Sequence, residues 1–226
     1  MDALLDNDIM FDYVIGVSAG ITYAASYLSR QRERNINILR QYRGDKRYFG
    51  ARNLLHDHSI FGTDFVFDTI PNQLVPFDWD EFHKYQGKYL VGVTNTKTGK
   101  AEYLDGMRMD RPCTMLRATC AIPIYFRRCR WTARPITTAV WPTRSRFCAA
   151  CMTATSDNLI VLTHRKLPQN AWTRRAVHRK VAETQISGNA KVLLERAKHY
   201  NETVCFCHRL AENKPQDTVL LQPENR

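Results

Sequence analysis

Phe11-Asp12-Tyr13-Val14-Ile15-Gly16-Val17-Ser18-Ala19-Gly20 decides how the rest of the chain is read. A short apolar run rich in β-branched residues ends in Gly-x-Ser-x-Gly, and a helix-compatible run begins at Ile21. Strand, sharp turn with a serine at its apex, then helix is the pattern of a nucleophile elbow. The serine backbone is strained there, so its hydroxyl stands clear of the sheet. Gly16 and Gly20 lack Cβ atoms, which lets two chain segments pass close on either side of the turn. The start of the helix behind Ser18 adds a positive dipole end, useful when an oxyanion forms. The residues alone therefore nominate Ser18 as a nucleophile for covalent catalysis, with Gly16 and Gly20 shaping the elbow.

Bulk properties narrow the classes around this turn. The 226 residues suit one domain, or one domain with a small appendage, and 44% hydrophobic content supports a core. No apolar run approaches the roughly 18 residues that a membrane-spanning helix needs. The first residues are acidic and polar (Asp2, Asp6, Asp8), unlike a secretory signal. The seven cysteines follow no framework spacing, so reduced thiols in a cytoplasmic protein are expected. Cys148 and Cys151 form a Cys-x-x-Cys pair and Cys205 lies two from Cys207, but neither has a second ligand pair at zinc spacing. No metal or other cofactor is expected. The formal charge of +11 could serve nucleic acid or an anionic membrane surface. Much of that excess is local: Arg127, Arg128, Arg130, Arg134, Arg144 and Arg146 lie in one acid-free stretch.

Along the chain, Ile21 to Leu39 reads as one helix, with Tyr23, Ala24, Tyr27 and Leu28 spaced for a buried face. Gln31 to Arg34 reads as its solvated outer face. His56-Asp57-His58 invites a metal or triad reading, but no third ligand is spaced nearby and a polar loop is expected. Pro71 and Pro76 bracket a loop after the apolar run Phe65 to Ile70. Tyr89 to Thr94 and Ala101 to Leu104 read as a hairpin around Thr96-Lys97-Thr98-Gly99. Asp105-Gly106 is weighed as a catalytic Asp and read instead as a turn. Asn158 to Thr163 reads as a buried strand, and Ala190 to Glu212 as an amphipathic helix with Leu193, Ala197, Tyr200, Val204 and Leu210 on one face.

The residues around Ser18 resemble the patatin-like phospholipase family, particularly its bacterial members, which carry an Asp-Tyr-Val-x-Gly-x-Ser-Ala-Gly core. Leu116-Arg117-Ala118-Thr119-Cys120-Ala121-Ile122-Pro123 is similar to the family's Arg-Ala-Ser/Thr-x-Ala-x-Pro segment. Phe77 to Phe82, Tyr200 to Thr203 and Val219 to Pro223 also resemble segments of bacterial members. The resemblance covers roughly residues 3 to 126. It implies an α/β fold, a three-layer α/β/α sandwich, here without the family's first strand and glycine-rich oxyanion turn, since no glycine precedes Gly16. It divides the chain into a phospholipase domain, 1–163, and a C-terminal helical extension with a short strand, 164–226. It implies lipid acyl-ester hydrolysis by a Ser–Asp dyad without histidine. The partners would be a lipid or other acyl-ester substrate and, peripherally, a membrane surface, with no specific nucleic acid.

The resemblance lapses at Arg127 to Thr155, which holds no Gly, Asp, Glu or Lys. The family continues there with a strand, an Asp-Gly-Gly or Asp-Gly-Ala turn that carries the general base, and Pro-Ile-Pro. Codons exist for Ile136 to Val140 that, read one base earlier, encode Tyr-Tyr-Asp-Gly-Gly, with the Asp near Thr138. The expectation is a disturbed reading frame across 127–155 and a middle that fails to complete the sheet, because its arginines and tryptophans do not alternate. The rival classes are a non-catalytic basic protein binding nucleic acid or anionic lipid through Arg127 to Arg146, and a pseudoenzyme that keeps only the fold.

Overall fold

β2 (Lys88–Asn95) is the strand around which the first part of the chain is built. Its Tyr89, Val91, Gly92, Val93 and Thr94 are all buried, so both faces are covered, as a central strand requires. The structure is a computed structural model that describes residues 1–50, 53, 59, 61–98, 100–121, 129–131, 134–138, 157–162 and 190–223. The chain divides into two compact units, Met1–Val93 with Glu102–Thr138, and Thr94–Ala101 with Ala139–Arg226.

In the first unit a short helix α1 (Asp2–Leu5) leads to β1 (Tyr13–Gly16), then α2 (Ala19–Leu28) and α3 (Arg34–Tyr42). A π-helix (Phe65–Leu74), α4 (Trp79–His83), β2, β3 (Ala101–Asp105), a 3₁₀ turn (Gly106–Arg108) and α5 (Thr114–Cys120) follow. β4 (Cys129–Trp131) and β5 (Arg134–Thr138) come last. The sheet order is β1-β2-β5-β4, with β3 also paired to β2. β1 runs parallel to β2, Tyr13 opposite Lys88 and Gly16 opposite Val91. Helices with a mixed sheet make this an α/β protein.

The core gathers Ile21, Tyr27 and Leu28 of α2, Phe82 of α4, Tyr89, Val91 and Val93 of β2, and Met115 of α5. Its tyrosines keep their hydroxyls satisfied. Tyr89 donates to Ile21 O at 2.8 Å, and Tyr27 donates to Ile9 O at 2.9 Å while accepting from Phe11 N at 3.0 Å. The Tyr27 and Tyr85 hydroxyls, the latter on Phe11 O at 2.7 Å, pin the approach to β1. At α4, Asp78 accepts from Glu81 N at 2.9 Å and caps the helix. Phe77, Trp79 and Phe82 pack edge-to-face or tilted beside it.

Several expectations need correction. The single helix from Ile21 to Leu39 is two, because polar side chains capture the main chain after Leu28. Ser29 Oγ donates to Ser26 O at 3.2 Å, and Arg30 and Glu33 take positive φ of 52° and 56°. The expected solvated face is partly interior: Gln31 donates to Pro76 O and accepts from Asp78 N, and Arg34 turns inward. Pro71 lies inside a helix rather than opening a loop. The wide helical turns there include Val75 N donating to Ile70 O at 2.8 Å, five residues back. Arg134–Thr138 does join the sheet beside β2, with Ile136 buried. Main-chain pairing is indifferent to the failed alternation, and one inward isoleucine anchors the strand. Asp105 caps the 3₁₀ turn by accepting from Met107 N, as its turn reading requires.

In the second unit β6 (Asn158–Val161) runs parallel to β7 (Thr218–Leu221), with Asn158 opposite Thr218. α6 (Ala190–Asn213) contributes Val204 and Cys207 to a small core with Ile160 and Leu162, and Tyr200, Leu210 and Leu220 pack on it. Among the described residues no helix is long and apolar enough to cross a membrane.

Candidate active site

β1 ends at Gly16 and α2 begins at Ala19, so Ser18 sits at the apex of a strand-to-helix turn. Its φ of 54° and ψ of −136° lie where a side chain is strained, at a cost of about 1–3 kcal/mol. Three contacts hold the turn. The Ser18 N–H donates to Thr119 Oγ1 at 2.9 Å, and the Thr119 hydroxyl donates onward to Gly92 O at 2.7 Å. The Thr22 N–H donates to Ser18 O at 3.3 Å and starts the helix. A Cβ on Gly16 would stand 3.3 Å from the Ile21 side chain, so glycine is what lets β1 approach α2. Gly20 is different: a Cβ there would meet nothing within 4 Å, and the close approach expected at that position does not occur.

Sequence reasoning missed Thr119. Its signal was the Arg-Ala-Thr segment, whose three side chains divide the work. Arg117 pairs with Asp64, next to the π-helix, Ala118 is fully buried, and Thr119 ties the serine turn to β2. The Ser18 N–H is consumed by this link and is not free to bind an oxyanion.

A cavity of about 310 Å³ opens beside Ser18 along α2. Its lining is mostly apolar, with Ala25, Ile38, Val66, Phe67, Ile70 and Leu116 among the walls. Polar residues, Thr22, Ser26, Asn35 and Cys120 among them, share the lining. Burial and the Asp110 carboxylate push the Cys113 thiol up to about 12, so it is uncharged near neutral pH. Burial also raises Tyr23 and Tyr48, keeping their hydroxyls neutral. Arg34 is the cation of this lining, with its guanidinium 5.4 Å from the Phe77 ring centroid and its own pKa lowered to about 10 by burial.

Among the described residues no side chain accepts a hydrogen bond from the Ser18 hydroxyl, so no general base is assigned. The expected base position, Thr138, ends β5. His56, Asp57, His58, Cys148, Cys151 and most of Arg127 to Thr155 lie outside the described residues. Cys205 is exposed whereas Cys207 is buried, so the two thiols do not converge. Among the described residues no group of three or more His, Cys, Asp or Glu side chains is placed to hold a metal ion. What remains is a strained serine in the lining of a largely apolar cavity. No family model matches the chain, and no curated protein matches it.

Proposed function

We propose that the chain is a patatin-type serine hydrolase of lipid acyl esters. The observation that carries this reading is the strained Ser18 turn, set between β1 and α2 and opening on an apolar cavity. In the reaction Ser18 Oγ adds to the ester carbonyl, its proton passes to a base, and the alcohol leaves. Water then cleaves the serine ester and regenerates the hydroxyl. The apolar walls suit a hydrocarbon chain, whose burial contributes about 0.8 kcal/mol per methylene. The basic balance of the chain, +11, favours peripheral approach to an anionic membrane surface. A cytoplasmic setting is part of the reading, supported by the reduced thiols of Cys113 and Cys205.

A second reading, the same fold without turnover, is favoured by the absence of a described acceptor for the Ser18 hydroxyl. Hydrolysis of p-nitrophenyl esters of graded chain length separates the two. Turnover that rises with chain length and disappears in Ser18→Ala supports the hydrolase. Turnover that persists in Ser18→Ala, or none in the parent chain, refutes it.

A further inference from the structure

Arg34 begins α3, yet its Nε is fully buried and has no hydrogen-bond partner. Its remaining nitrogens are only partly used. Nη2 donates to Val75 O at 2.8 Å and Nη1 to Ser26 Oγ at 3.3 Å. Ser26 Oγ in turn donates to Asn35 Oδ1 at 3.0 Å, so the hydroxyl is fixed. Among the described residues no carboxylate pairs with this guanidinium. Glu33, its neighbour in sequence, pairs with Arg32. Cys113, whose charge would face it, stays protonated near neutral pH. Burying a cation without a counter-ion is costly, and a group already held by Val75 and Ser26 gains nothing structural from an unpartnered Nε.

Arg34 is itself among the residues that line the cavity beside Ser18. Ser26, which it contacts, lies a little more than two helical turns beyond Ser18, on the order of 12 Å at 1.5 Å per residue. Apolar side chains such as Ala25 and Ile70 line the space. The cavity therefore presents a nucleophile, an apolar wall and an unpaired planar cation. Arginine offers such an anion two parallel N–H donors, the geometry that carboxylate and phosphate both accept.

We propose that this cavity takes a medium-chain anionic amphiphile, its hydrocarbon along α2 and its carboxylate or phosphate on the Arg34 guanidinium. As a statement about substrate, an ester with an anionic end remote from the scissile carbonyl, this rests on the hydrolase reading. As a statement about binding it stands without it.

Titration calorimetry with decanoate, decyl phosphate and decanol tests the binding on the parent chain. The two anions share a chain with the neutral alcohol, so their difference isolates the head group. At least one anion should bind about tenfold or more tighter than decanol, the scale of a hydrogen bond to a charged group. Whichever anion binds tighter identifies a carboxylate or a phosphate source. Arg34→Met should abolish the preference while retaining decanol binding, and Arg34→Lys should restore part of it. Equal affinity for all three ligands, no binding of any, or a preference that survives in Arg34→Met would overturn the proposal. Should Arg34→Met fail to fold, the series on the parent chain decides alone. No turnover is involved, so a failure of the Ser18 chemistry leaves this result intact, and a failure here leaves Ser18 untouched.

Discussion

The turns at the two ends of α2 both force non-glycine residues to positive φ, and they hold that strain by different means. At the start, Ser18 at φ 54° is gripped from far along the chain, by a threonine on α5. At the end, Arg30 at 52° is held locally, its N–H on Tyr27 O at 3.0 Å, whereas Glu33 at 56° is held by a carboxylate, its N–H on Asp2 Oδ1 at 3.1 Å. Both turns bring polar residues to the same cavity, Ser18 from the first and Arg34 with Asn35 from the second. The first grip fixes the Ser18 turn against the sheet, through Thr119 to Gly92 O.

The largest expected effect asks whether the first turn has lost a partner. If the coding DNA, read one base back across Ile136 to Val140, gives Asp-Gly-Gly, the frame-restored chain should hydrolyse esters about 10²–10⁴-fold faster, the usual contribution of a general base. Stop codons, or no Asp-Gly-Gly, in that frame end the idea.

Next comes the long-range grip itself. Thr119→Val keeps the shape but removes the acceptor for Ser18 N and the side-chain donor to Gly92 O. It should cost about 1–3 kcal/mol in urea unfolding, and Thr119→Ser should recover most of it. An unchanged midpoint would show that the link is incidental.

The strain can be measured directly by relieving it. Ser18→Gly should stabilise the fold by about 1–2 kcal/mol, because glycine adopts positive φ freely. Glu33→Gly should gain less, about 1 kcal/mol or below, since its φ of 56° and ψ of 0° are an ordinary left-handed conformation. A larger gain at Glu33 than at Ser18 would invert the comparison.

The smallest effects lie at the flanking glycines. Gly16→Ala presses on Ile21 and should destabilise by about 1 kcal/mol. Gly20→Ala meets open space within α2 and should stabilise by about 0.5–1 kcal/mol. Equal thermal shifts for the two would mean that the turn is not packed as described.

The first turn was legible because its chemistry is written in neighbours: a β-branched run, a glycine that needs no Cβ, a serine, then helix formers. The second was not, because nothing in Ser29 to Arg34 breaks a helix by itself. The break combines the Ser29 hydroxyl on Ser26 O with Gln31 reaching Pro76 and Asp78 and the Glu33 N–H reaching Asp2, partners distant in sequence. Arg34 was for the same reason read as solvated. Thr119 was quoted within a motif, but a threonine's role depends on which orphan N–H folds against it, here one 101 residues away. The pairing of β2 with β3 was legible from two apolar runs separated by turn residues. The strand Arg134–Thr138 was not, because main-chain pairing carries no signature in the sequence; its buried Ile136 is a single apolar position.

The central claim is that Ser18 is the nucleophile that the cavity serves. A fluorophosphonate probe, followed by peptide mass spectrometry, tests it most directly. The account predicts one adduct on the peptide that carries Ser18, absent from Ser18→Ala. An adduct that survives Ser18→Ala, or a parent chain that stays unlabelled at saturating probe, would contradict it.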